Sequence, residues 1–468
     1  MTNNNIIIKN INQLFISLLN NSIFTEEKNK NNLLEKIKPN TEQILLEFYN
    51  LFTKSNIFVN NLKINNINPF NIKINKIKNI SQIPKPNSFL KNSFPKKINN
   101  YIEENSIYYI YFNIILNNRN INLYFILNKN NEEKHIHKEN IQKIIKKYNF
   151  YIEIILNIIY FLDFYSKNNN CSKNISIYMY FNDLKKLIPK RREEYILNEY
   201  QVNSAFTNSC SNISNIILFR KEEWLKVLIH ELFHSFGLDF SLIDNNSISQ
   251  ENINNKLKDI FKIQLIYKLY ESYSEFWARF INVFITSYFI SNSNLLSNSL
   301  SNSNSNNKEK YIKFLNYFNV LINVEIYYSI FQVVKILNYM DLKYENIIEN
   351  NDFNINLKNK NYRENTDILC YYIITSILLN NYNSFINLNK KNNINILQFS
   401  NSTKNIDSLI IFIKNNYKKT SYLNKINNIE NIYFNLLKKE KKEKNNNKKE
   451  NNINYLLDNL RMTIIGFF

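Results

Sequence analysis

The residues best suited to chemistry stand in one run, His230-Glu231-Leu232-Phe233-His234-Ser235-Phe236-Gly237-Leu238-Asp239. Two histidines four apart on a helix share a face, one turn above the other, and can hold one metal ion between them. Glu231, rotated about 100° from His230, cannot easily bind that ion but can reach a water held on it. H-E-x-x-H is the pattern of a zinc hydrolase. With 4 His and 39 Asp+Glu in 468 residues, such a motif arises by chance roughly 0.003 times per chain.

The motif needs a helix, and the surrounding pattern supplies one. Over Lys221 to Phe236 the apolar residues Trp224, Leu228, Leu232 and Phe236 recur at helical spacing. Gly237, one of 2 glycines where average usage would give roughly 33, follows at once. It can take the left-handed conformation that ends a helix. Both alanines, both tryptophans, two of the four His and one glycine fall between Ala205 and Ala278. In a chain dominated by Asn, Ile and Lys, consistent with an AT-rich coding sequence, that clustering marks where side chains are hard to replace.

Further elements can be read around this helix. Residues 106–128 read as a β-hairpin about Asn117-Asn118-Arg119-Asn120, and 139–165 as a long helix. Ile175 to Phe181 and Ile213 to Phe219 read as strands, with a short β-prone stretch at Val202 to Thr207. A polar loop, Asp244 to Asn255, leads to a second helix ending near Ile290, and 311–340 and 366–388 have helical patterns. Asn350 to Asn361 reads as a polar loop, 291–307 as a Ser/Asn surface insertion, and Lys438 to Glu450 as a solvated, mobile charge run. The apolar tail, Leu460 to Phe468, is suited to docking on the body. His135-Ile136-His137 has no acidic or Cys partner at useful spacing and reads as surface.

A catalytic zinc site takes three protein ligands and leaves one position open. Metzincins place a third His three residues past the Gly; Phe240 stands there, and Asp239 lies one residue early. Glu271 and Glu275 in the second helix are four apart and share a face. Glu271 would be the third ligand, and Glu275 would hold a ligand imidazole by its far nitrogen.

With these residues the chain resembles the gluzincins, the thermolysin-like zinc metallopeptidases. His230, Glu231 and His234, followed by Glu271-x-x-x-Glu275, are similar to that group's H-E-x-x-H and E-x-x-x-D. Asn203-Ser204-Ala205-Phe206 is similar to its substrate-binding edge strand, which makes Asn203 and Ala205 candidate substrate contacts. The chain from the hairpin through Arg220-Lys221-Glu222-Glu223-Trp224 to its end also resembles an uncharacterised metallopeptidase-like family of giant DNA viruses. The resemblance implies an α+β fold: a zincin-like core of small mixed sheet, H-E-x-x-H helix and second ligand helix, between an N-terminal α/β region and a mostly helical C-terminal region. The expected division is 1–100 helical and irregular, 101–170 hairpin and long helix, 171–290 catalytic core, 291–310 insertion, 311–437 helical, 438–452 charged loop and 453–468 docked tail. The implied activity is zinc-dependent peptide-bond hydrolysis with Glu231 as general base and a protein or peptide as substrate. No His follows His234, so an oxyanion donor would have to be a Tyr or Arg; Tyr371, Tyr372 and Arg363 are candidates.

Bulk composition limits the alternatives. Hydrophobic content of 44% excludes a wholly disordered chain, and 468 residues can bury a large core. The net charge of +20 comes from lysines dispersed among Asn and Ile, without a recognisable nucleic-acid motif, so no specific nucleic-acid partner is expected. Three cysteines, Cys171, Cys210 and Cys370, are odd in number and far apart, suggesting a reducing compartment and no disulfide framework. No signal peptide or uncharged apolar run of 18 residues stands out, so the expected location is cytoplasmic or virion-associated, with no membrane partner. The competing class is a non-enzymatic viral scaffold protein keeping a zincin-like fold with structural zinc, closed by a fourth protein ligand.

Overall fold

The computed structural model describes residues 13–19, 34–86, 95–129, 141–167, 170–190, 196–245, 247–292, 304–445 and 451–466. Its centre is a mixed sheet of six strands in the order β1-β2-β3-β4-β6-β5. The strands are β1 Lys73–Lys76, β2 Ser106–Leu116, β3 Arg119–Asn128, β4 Asn174–Asn182, β5 Ala205–Phe206 and β6 Ile213–Arg220. β2 and β3 form the expected hairpin, and only Asn117 and Asn118 make its turn, at φ 49° and 65°. Two left-handed residues match the strand twist, and Asn tolerates that conformation where most side chains do not. β3, β4 and β6 run parallel, and β1 and β5 close the two edges antiparallel.

Among the described residues the helices of eight residues or more are α1 Pro39–Asn61, α2 Lys96–Asn105, α3 Ile141–Tyr165, α4 Trp224–Ser235, α5 Ser247–Phe261, α6 Leu269–Ser291, α7 Asn304–Tyr339, α8 Asp352–Asn361, α9 Leu369–Asn380, α10 Tyr382–Asn392, α11 Thr403–Asn416, α12 Thr420–Asn445 and α13 Asn451–Asp458. Alternation along the strands decides which residues face them. Leu123, Phe125, Ile177, Met179, Ile216 and Leu218 point into the main core with α3 and α4, while Ile126, Tyr180, Ile217 and Phe219 form a smaller cluster under Ile98 and Ile102 of α2. The fold is therefore α+β.

Several expectations are corrected. Cys171 and Cys210 are joined in a disulfide with Cα atoms 4.7 Å apart, so the absence of disulfides does not hold; their 39-residue separation hid a pairing made by tertiary approach. The second helix is two helices, α5 and α6, separated by 262–268, and α5 begins inside the expected polar loop. Asn350 to Asn361 is mostly helical, because the Asn351 side chain accepts from Asn354 N and caps α8. The charge run continues α12 to Asn445. Residues 293–303 of the insertion, 446–450 of the charge run, and His135 and His137 lie outside the described residues. Among the described residues one helical stretch, Asn307–Tyr339, is long and apolar enough to cross a membrane; 89% of its apolar window is buried in the fold.

Candidate metal centre

β6 runs directly into α4, every residue of which is buried. The helix ends as its glycine requires. Gly237 sits at φ +64°, its N–H donates to His234 O at 3.1 Å, and Leu238 N donates to Phe233 O at 2.9 Å. These are the two bonds of a Schellman cap. A side chain at 237 is disfavoured twice, by φ and by space: a Cβ there would lie 3.1 Å from Cys171 Sγ, which would have to give way. The disulfide therefore backs the helix end, and Cys210 N donates to His234 O at 3.0 Å.

α6 packs across α4 and brings the third group. His230 Nε2 lies 3.0 Å from Glu271 Oε2, His234 Nε2 lies 3.3 Å from the same oxygen, and the two Nε2 atoms are 3.0 Å apart. His230, His234 and Glu271 thus form a group that could hold a metal ion. Ligands about 2.0–2.1 Å from zinc at tetrahedral angles stand about 3.3 Å apart, so the separations fit.

Each imidazole is held from behind. His234 Nδ1 meets Asp239 Oδ2. That carboxylate is itself fixed by Ser274 Oγ at 3.0 Å, Ser241 Oγ at 2.8 Å and Ser241 N at 3.2 Å. His230 Nδ1 lies 3.2 Å from Glu275 Oε2, an ion-pair distance without the alignment of a full hydrogen bond. Lys226 Nζ reaches the same oxygen at 3.0 Å. A carboxylate at Nδ1 keeps the proton there and leaves Nε2 free to ligate. Asp239, unassigned by spacing alone, is the residue sequence reasoning missed; the signal was an acid two residues past the helix-ending glycine with Ser241 two residues later.

Burial disfavours charge throughout the site, and the neighbours decide the outcome. His230 and His234 lose stability as cations through burial, yet the facing carboxylates of Glu271, Glu275 and Asp239 raise both pKa values, that of His234 well above 6.5. Glu271 is buried too, but the imidazoles hold its pKa below the ordinary range. Burial raises that of Glu231, against the opposing pull of the two imidazoles.

The centre opens onto a cleft of about 530 Å³. Ala205 and Asn203 line one side. Ala205 pairs with Leu218, and Ser204 O accepts from Phe219 N at 3.0 Å. In an antiparallel ladder bonded and non-bonded pairs alternate, so the N–H and C=O of Ala205 point away from β6, outward along the free edge. Asn203 is more tied down, its carbonyl accepting from Arg220 Nη1 at 2.6 Å.

Of the three oxyanion candidates, the structure brings one to the cleft. Tyr371 lines it, its ring centroid 5.9 Å from that of His230. Tyr372 turns inward and donates to Leu460 O at 2.7 Å, and Arg363 is exposed and not among the cleft's lining residues. Tyr371 rides on a π-helical turn, Leu369–Ile374. Within that turn the Cys370 carbonyl takes hydroxyls from Thr375 at 2.9 Å and from Ser272, next to Glu271, at 3.0 Å. Glu364, which burial raises to about 8, accepts from Leu369 N at 2.9 Å and anchors the start of the turn.

The tail is fastened behind the site. Met462 N and Thr463 N donate to Glu223 Oε1 at 2.6 and 2.8 Å, and Lys226 Nζ lies 3.4 Å from Met462 Sδ. Comparisons with family models, curated proteins and solved structures returned no match.

Proposed function

We propose that the protein is a zinc-dependent metallopeptidase with a zincin-like, gluzincin-type core. The observation that carries this reading is the convergence of His230 Nε2, His234 Nε2 and Glu271 Oε2 within 3.0–3.3 Å, with a carboxylate facing each imidazole at Nδ1. Two His and one Glu with a cleft on the fourth side suit a catalytic zinc, whereas a structural zinc is closed by four protein groups. The metal group counts three protein ligands among the described residues, which favours the enzyme over the scaffold.

His230, His234 and Glu271 would hold the zinc, which when bound supplies Lewis acidity to a peptide carbonyl and to water. Glu231 takes a proton from the attacking water and delivers it to the leaving nitrogen, giving a carboxylate and an amine. Its raised pKa brings it closer to the working range of a general base, a role worth roughly 10²–10⁴-fold. Ala205 aligns the substrate as an added strand through its outward N–H and C=O. Tyr371 donates its O–H to the oxygen that gains charge; burial and the nearby carboxylates hold its pKa well above 10, so it stays protonated.

The test begins with zinc content per chain for wild type, His234→Ala and Glu271→Gln. About one zinc in wild type, reduced in both variants, is expected, followed by peptide-library cleavage that Glu231→Gln abolishes. Metal-replete wild type without zinc would overturn the reading.

A further inference from the structure

A second cavity, of about 30 Å³, lies behind His230. Val202 and Ser204 wall it from the segment leading into β5, Val227 and His230 from α4, Glu275 from α6 and Met462 from the tail. Asn203, Ala205, His230, Glu231 and Tyr371 line both cavities, so the small one adjoins the cleft beside the metal group.

Three side-chain atoms of its lining residues have no hydrogen-bond partner, Ser204 Oγ, Glu275 Oε1 and His230 Nδ1; His230 Nδ1 faces the other Glu275 oxygen at 3.2 Å, which leaves Ser204 Oγ and Glu275 Oε1 unmatched on residues only 4% and 1% exposed. Buried polar atoms are rarely left unpaired, because each has given up water without replacement. A carboxylate oxygen seeks a donor, and a serine hydroxyl can both donate and accept. A guest hydroxyl can donate to the carboxylate and exchange a hydrogen bond with the serine. The volume holds roughly two water-sized groups, which matches the Cβ and Oγ of a serine and excludes branched or aromatic side chains.

Resting on the metallopeptidase reading above, we propose that this cavity receives one of the two side chains flanking the scissile bond and selects serine, with alanine and glycine admitted. Ser204 and Glu275 read the hydroxyl. Val202, Val227 and Met462 set the size limit, so a residue from the chain's tail determines specificity at a metal site more than 180 positions earlier.

The test uses the zinc-loaded full chain and two series of dipeptide hydroxamates, with the variable side chain (Ser, Ala, Val, Leu or Phe) on one or the other side of the zinc-binding head. Affinities are read by calorimetry. In one series the Ser compound is expected to bind at least about tenfold more tightly than the Leu and Phe compounds, and about threefold or more above Ala. Ser204→Ala breaks no bond within the protein and should erase the Ser-over-Ala margin. Met462→Ala should bring Val and Leu up by about tenfold. Flat series, a preference for Leu or Phe in both, or no binding to zinc-loaded protein would overturn the proposal. Serine-selective binding without cleavage of any peptide would leave the pocket standing and remove the hydrolytic reading. Cleavage with bulky residues on both flanks would do the reverse.

Discussion

Asp239 offers the sharpest test of how the centre is held. Its carboxylate meets His234 Nδ1 and is fixed by Ser241 and Ser274. Asp239→Asn keeps the shape but exchanges a charged acceptor for a neutral one. Hydrogen bonds to charged groups are worth about 1.5–3 kcal/mol and roughly twice neutral ones, so the exchange costs about 1–1.5 kcal/mol. At 1.4 kcal/mol per decade, zinc affinity should fall about tenfold. Asp239→Ala removes the acceptor altogether and should approach the hundredfold loss seen when a ligand's outer partner is deleted. The assay is competition against a chromophoric chelator at fixed pH, with circular dichroism confirming the fold. An Asn variant within threefold of wild type would refute the claim that Asp239 holds the ligand imidazole.

Tyr371→Phe should lower kcat by about 10²–10³-fold with KM and zinc content nearly unchanged, as expected for a donor used only in the transition state; a loss under threefold in steady-state kinetics would remove Tyr371 from that role. The pH response should invert with metal. In the metal-free chain the raised His230 and His234 pKa values contribute stability that is complete below about 6.5 and is lost as pH rises through their folded values, while the lowered Glu271 pKa contributes stability lost as pH falls below the ordinary carboxylate range. Zinc instead competes with those imidazole protons, so zinc affinity should rise with pH, and calorimetry in buffers of different ionisation enthalpy should record proton release on binding; zinc uptake without proton release near neutral pH would contradict the charged imidazoles. Gly237→Ala should cost about 1–2 kcal/mol from its left-handed φ alone, and more from the contact with Cys171 Sγ; an unchanged denaturation midpoint would show that the helix end can relax.

What the sequence determined by itself is everything set by short-range spacing. The His230/His234 pair, the face shared by Glu271 and Glu275, the hairpin over 106–128 and the helix stop at Gly237 follow from fixed rise and rotation per residue or from the conformational freedom of one residue type. Helix boundaries in polar segments were less legible: Asn-rich stretches such as 350–361 carry little hydrophobic periodicity, so capping by Asn351 and packing chose helix there. Tertiary structure alone decided which distant groups arrive. It brought Cys171 to Cys210, selected Tyr371 over Tyr372 through a π-turn, aimed Asp239 at His234 and set Met462 beside His230 and Glu275. The physical reason is that periodicity says which residues share a face of one element, whereas the partner of that face depends on how sheet, helices and tail close around a common core.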